Sequence, residues 1–81
     1  MDVSEIKLKI EQALPGAEVE VRDMTGGGDH FEALVITPEF EGRSMVERHQ
    51  LVYRALGDAM RQQVHALSLK TLTPSQSQRG R

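Results

Sequence analysis

The chain has 81 residues, of which 38% are hydrophobic and 27% charged, and its 10 basic and 12 acidic side chains give a formal net charge of −2. This length supports one domain with a small core, and the weakly acidic balance disfavours binding that depends on neutralising many nucleic-acid phosphates. Cysteine is absent, which excludes disulfide bonds and any thiolate metal site built from this chain alone.

The first half of the chain predicts one helix and two strands. Asp2 and Glu5 have the spacing of a helix cap, and apolar residues then recur at helical steps over residues 3–14 until a Pro-Gly pair ends the helix. Residues 17–22 alternate apolar and charged side chains, as in a strand with one face in water. Residues 31–37 predict a more buried second strand, joined to the first by a mobile glycine-rich loop as a hairpin.

The second half predicts a long helix and a third strand. Ser44 and Glu47 have the spacing of a capping box, and the helix is expected over residues 44–61. Its apolar face is assigned to Met45, His49, Val52, Tyr53, Leu56 and Met60. Residues 64–72 form the expected strand, which gives a domain over residues 1–74. The tail, residues 75–81, has no apolar side chain and is predicted to be disordered.

The order helix, strand, strand, helix, strand predicts a two-layer α+β domain in which helices pack on a three-stranded sheet. The long helix between the second and third strands suffices for a crossover, so those two strands are expected to be parallel and the sheet mixed. No apolar run approaches the ~20 residues that span a bilayer, and the N-terminus lacks the pattern of a signal peptide. We therefore expect a cytoplasmic protein without a membrane partner.

An ordered series of residues in the second half resembles the BolA family. The series reads Phe40-x-Gly42, Arg48-His49, Val52-Tyr53, Leu56, Val64-His65-Ala66-Leu67 and Thr71-x-Thr73-Pro74, and the resemblance runs from about Val3 to Pro74. It implies an αββαβ fold similar to a type II KH domain. It also implies a non-enzymatic adaptor in iron–sulfur cluster trafficking or iron sensing, which shares a [2Fe–2S] cluster with a monothiol glutaredoxin and glutathione.

The resemblance also implies which side chains meet the cluster. His65 is the implied ligand, and imidazole ligands to [2Fe–2S] clusters are known chemistry. His30 is a candidate second ligand, because Gly27 stands where some members of the family carry a cysteine. His49 shares the apolar face of the long helix and is interpreted as a hydrogen-bonded structural residue. The isolated chain is expected to hold no cofactor and to be a monomer or a weak homodimer.

Two other functions remain open. The family resemblance also implies a DNA-binding transcriptional regulator of stress response and cell morphology. Arg43, Arg48 and Arg54 are the candidate phosphate contacts for that function. The Gly-x-x-Gly loop with which KH modules clamp nucleic acid is missing from between the helices. The other alternative is an interaction module that binds no metal. An enzyme is not expected, since no serine has neighbouring His and Asp residues in the sequence and no cysteine nucleophile exists.

Overall fold

The computed structural model describes residues 2–27, 30–57 and 66–79, with the side chains of Ala66 and Arg79 outside that description. The elements are α1 (Val3–Ala13), β1 (Glu18–Asp23), β2 (His30–Ile36), a 3-10 turn (Pro38–Phe40), α2 (Met45–Leu56), β3 (Ala66–Leu72) and α3 (Pro74–Arg79). The order up to β3 confirms the αββαβ prediction. Within the described ranges, no helix is long and apolar enough to cross a membrane.

The sheet has the strand order β1-β2-β3. The hairpin partners β1 and β2 are antiparallel, whereas β2 and β3 are parallel, which confirms the predicted mixed sheet. Helices α1 and α2 pack on one face of the sheet. The core between these two layers is formed by Ile6, Ile10, Leu14, Val19, Phe31, Val35, Phe40, Val52 and Leu56.

Helix α2 begins and ends for local reasons. The Glu47 N–H donates to Ser44 Oγ at 3.2 Å, and the Ser44 N–H donates to Glu47 Oε1 at 3.0 Å, so the predicted capping box is complete. Gly57 then has a φ of 57°, a conformation that favours glycine, and the helix ends at Leu56. The predicted extension to residue 61 is therefore wrong at Gly57, and residues 58–61 lie outside the described residues.

The buried face of α2 differs from the predicted one. Arg48, Val52 and Leu56 are its buried residues, whereas Met45 and Tyr53 are exposed. The difference arises because a charged side chain, Arg48, occupies a core position that hydrophobic periodicity assigns to an apolar residue. The helix is consequently rotated about its axis relative to the predicted face.

The prediction of a disordered tail is wrong for residues 75–79, which belong to α3. The Thr73 N–H donates to Gln76 Oε1 at 2.9 Å, and the Gln76 N–H donates to Thr73 Oγ1 at 3.2 Å. This reciprocal pair caps the helix, and Ser77 is buried against the domain. Polar caps therefore order the segment without an apolar side chain; residues 80 and 81 lie outside the described residues.

Candidate functional site

The hairpin loop between β1 and β2 leads to His30, the first residue of β2. The Asp23 Oδ1 atom accepts the N–H groups of Thr25 at 3.2 Å and of Gly26 at 2.9 Å, and the Met24 N–H donates to the His30 carbonyl at 2.8 Å. Such side-chain bonds to the following backbone are typical of Asx turns. The described part of this loop, up to Gly27, thus contains a turn whose backbone N–H groups are bonded to Asp23.

His30 is exposed and is the first residue of β2. In the parallel ladder its register partner is Ala66, the first residue of β3. The other predicted ligand, His65, precedes Ala66 in the sequence but lies outside the described residues, as does Asp29. The register therefore brings His30 to the same end of the sheet at which β3 begins.

The donor set at this end of the sheet is small. Gly27, the last described residue of the loop, contributes no side chain. Across the residues that the structure describes, no group of three or more His, Cys, Asp or Glu side chains is arranged to hold a metal ion. His30 is therefore a single exposed imidazole at a fixed backbone position, and the chain supplies no thiolate.

His49 has a different environment. It is half-buried on α2, and its ring meets the Tyr53 ring edge-on, with 6.2 Å between the ring centroids and 79° between the ring planes. Its Nε2 atom is buried and has no hydrogen-bond partner among the described residues. The packing of His49 therefore fits its interpretation as a structural residue.

The three arginines predicted as phosphate contacts are in two kinds of environment. Arg43 and Arg54 are exposed, and the Arg43 Nε donates to the Glu39 carbonyl at 3.0 Å. Arg48 is 8% exposed, so a role as a phosphate contact does not fit its burial. The DNA-binding alternative stays a prediction that depends on Arg43 and Arg54 alone.

Arg48 instead joins three parts of the fold. Its Nε donates to the Arg43 carbonyl at 3.2 Å, and its Nη1 donates to the Thr71 carbonyl at 3.5 Å and to Gln76 Oε1 at 3.0 Å. Its guanidinium carbon lies 5.7 Å from the centre of the Phe40 ring, within the range of a cation–π contact. The Thr73-x-x-Gln76 spacing of a capping box is a sequence signal for the helix that carries Gln76, but it does not indicate the contact with Arg48.

Three comparisons with known proteins agree. A family model described as BolA-like protein matches residues 3–76. The mouse protein BolA-like protein 1 is 38% identical over 78 residues, which cover 88% of this chain; the chain spans only 57% of that relative's length. A BolA homologue from Coxiella burnetii is 43% identical with a TM-score of 0.82, and the alignment covers 96% of this chain and 97% of that one. The BolA domain of SufE1 from Arabidopsis thaliana is 34% identical with a TM-score of 0.81, covering 90% of this chain and 92% of that domain.

Proposed function

The chain belongs to the BolA-like family, and we propose that it is a non-enzymatic adaptor that shares a [2Fe–2S] cluster with a monothiol glutaredoxin. The cluster is its cargo, and the work is cluster trafficking or iron sensing. The observation that carries the proposal is the register between His30 and Ala66, the residue that follows His65 in the sequence. The presence of a BolA domain in a SufE protein of Arabidopsis supports a link to iron–sulfur chemistry.

In the proposed complex, His65 is the primary ligand and His30 is the second candidate. Both are imidazoles, which carry no negative charge when neutral and raise the potential of a cluster relative to thiolates. The glutaredoxin cysteine and glutathione supply thiolates, which this chain cannot, since it contains no cysteine. The division of ligands explains why cluster binding requires a partner.

Anaerobic reconstitution tests the proposal. The purified chain is mixed with a monothiol glutaredoxin, glutathione, iron and sulfide, and visible circular dichroism is recorded for wild type, His65→Ala and His30→Ala. We expect a spectrum distinct from that of the glutaredoxin homodimer, lost in His65→Ala and altered in His30→Ala. His49→Gln is the matched control, because it changes the third histidine and is expected to leave the cluster spectrum unchanged.

Two results would count against the proposal. One is an unchanged homodimer spectrum in the presence of the wild-type chain, which would show that no shared cluster forms. The other is an equal loss of signal in His65→Ala and His49→Gln, which would attribute the loss to the fold. Far-UV circular dichroism of each variant distinguishes unfolding from loss of a ligand.

A further inference from the structure

The face of the sheet opposite α1 and α2 combines charged and apolar side chains. The two helices pack on the face that carries Phe31 and Val35. Successive side chains of a strand point to opposite faces, so Glu32 and Leu34 lie on the second face. Glu32 is exposed there, and Leu34 is half-buried. This second face is the largest part of the sheet surface that the proposed cluster site does not use.

A cavity of about 460 Å³ lies on this second face. All three strands contribute to its lining, through Glu20 of β1, Leu34 of β2 and Lys70 of β3 among others. Cavities of about 300–1,000 Å³ are typical of sites for small molecules. The volume therefore suits a small ligand.

The strand register places Glu20, Leu34 and Lys70 in one row across the sheet. Glu20 is opposite Leu34 in the antiparallel ladder, and Leu34 is opposite Lys70 in the parallel ladder. Neighbouring strands are about 4.8 Å apart, so the backbones at the two ends of the row are about 10 Å apart. Leu34 provides an apolar floor between a carboxylate and an ammonium group.

Glu20 and Lys70 are the charges of this cavity that a ligand can neutralise. Within the described residues, neither side chain takes part in a hydrogen bond or an ion pair. In the adjacent row, Arg22 Nη2 lies 3.5 Å from Glu32 Oε1, so those two charges offset each other. A complementary ligand therefore carries an ammonium and a carboxylate about 10 Å apart, with an apolar group between them.

We propose that this cavity binds a short zwitterionic peptide of about three residues, which lies across the strands. An extended chain spans about 3.3–3.6 Å per residue, so three residues match the length of the row. The peptide ammonium meets the Glu20 carboxylate, the peptide carboxylate meets the Lys70 ammonium, and a central apolar side chain lies on Leu34. This site is separate from the proposed cluster ligands and does not depend on cluster binding.

An NMR titration of the 15N-labelled chain with the peptide Ala-Leu-Ala tests the proposal. We expect the amide signals of Leu34 and Lys70 to shift with a dissociation constant on the order of 1 mM, because solvent screens exposed ion pairs. The amide of Ile10 should not shift, because α1 packs on the other face. Unchanged signals of Leu34 and Lys70 at about 10 mM peptide would overturn the proposal, since that concentration exceeds the expected dissociation constant.

Capped peptides and matched variants test the recognition of each charge. Glu20→Gln is expected to weaken binding of the free peptide about threefold and to leave binding of the N-acetylated peptide, which lacks the ammonium, unchanged. Lys70→Gln is expected to have the same effect on the free peptide and none on the C-amidated peptide, which lacks the carboxylate. Lys7→Gln is the matched control, because Lys7 is exposed on α1.

Three results would count against this assignment. Equal affinities of the free peptide and of a peptide capped at both ends would overturn charge recognition. Equal effects of Lys70→Gln and Lys7→Gln would overturn the place given to the peptide carboxylate. Ala-Gly-Ala is expected to bind severalfold more weakly than Ala-Leu-Ala, because it lacks the apolar contact with Leu34; equal affinities of these two peptides would overturn the apolar floor.

Discussion

Replacement of Arg48 by alanine is expected to destabilise the whole domain. The substitution removes two hydrogen bonds of 3.0 and 3.2 Å, a longer one of 3.5 Å and the contact with the Phe40 ring. Hydrogen bonds from a charged donor each contribute about 1.5 to 3 kcal/mol, and the recovered hydration of the guanidinium offsets part of that sum. We therefore expect the free energy of unfolding to fall by about 3 kcal/mol. For a domain of this size, that loss lowers the melting temperature by about 12 to 24 °C.

Chemical denaturation monitored by circular dichroism measures this change. Arg54→Ala is the matched control, because it removes an exposed arginine from the same helix and is expected to change the free energy of unfolding by less than about 0.5 kcal/mol. Gln76→Ala removes one acceptor of Arg48, and a double-mutant cycle of the two positions should show coupling. Equal stabilities of Arg48→Ala and Arg54→Ala would refute the role assigned to Arg48.

Two further predictions concern helix caps. Hydrogen bonds from Ser44, chiefly from its backbone N–H and secondly from its side chain, hold the pKa of Glu47 below its ordinary value of 4.5. The contribution of the Glu47 carboxylate to folding stability is therefore fully present above pH 4.5 and is lost as the pH falls through the lowered pKa. The stability advantage of wild type over Glu47→Gln, measured by urea denaturation across pH, should therefore shrink below pH 4.5; a constant difference would contradict this cause. Thr73→Ala removes a helix cap and should lower the stability of the tail helix by about 1 kcal/mol without affecting the rest of the domain. Hydrogen exchange should therefore accelerate at the Ser77 amide, which donates to the Thr73 carbonyl at 3.0 Å, while the Leu14 amide stays protected. Uniform acceleration at both amides would show that the cap stabilises the whole domain instead.

The sequence predicted the elements whose signals are local. Apolar spacing located α1 and α2, alternation located β1, and the Ser44 and Glu47 spacing located the start of α2. The tail helix was missed because low hydrophobicity outweighed the Thr73-x-x-Gln76 cap in that prediction. The predicted buried face of α2 differs from the observed one because the Arg48 guanidinium can be buried when it donates to carbonyl groups. The spacing of apolar residues does not indicate where such hydrogen-bond partners lie.

The candidate site was only partly accessible to sequence reasoning. His30 was identified from its place at the end of the glycine-rich loop, but its alignment with Ala66 depends on the register of two parallel strands far apart in the sequence. That register follows from packing of side chains on both faces, not from any local pattern. The contact between Arg48 and Gln76 could not be predicted for the same reason, because the two residues are 28 positions apart in the sequence.

The most direct test of the central claim is pulsed EPR of the reduced mixed complex, with 15N-histidine incorporated only into this chain. The account predicts a 15N hyperfine coupling of a directly bound imidazole nitrogen, present in wild type and absent in His65→Ala. A reduced cluster without any 15N coupling in wild type would contradict the account, because it would show that no histidine of this chain is bound to the iron.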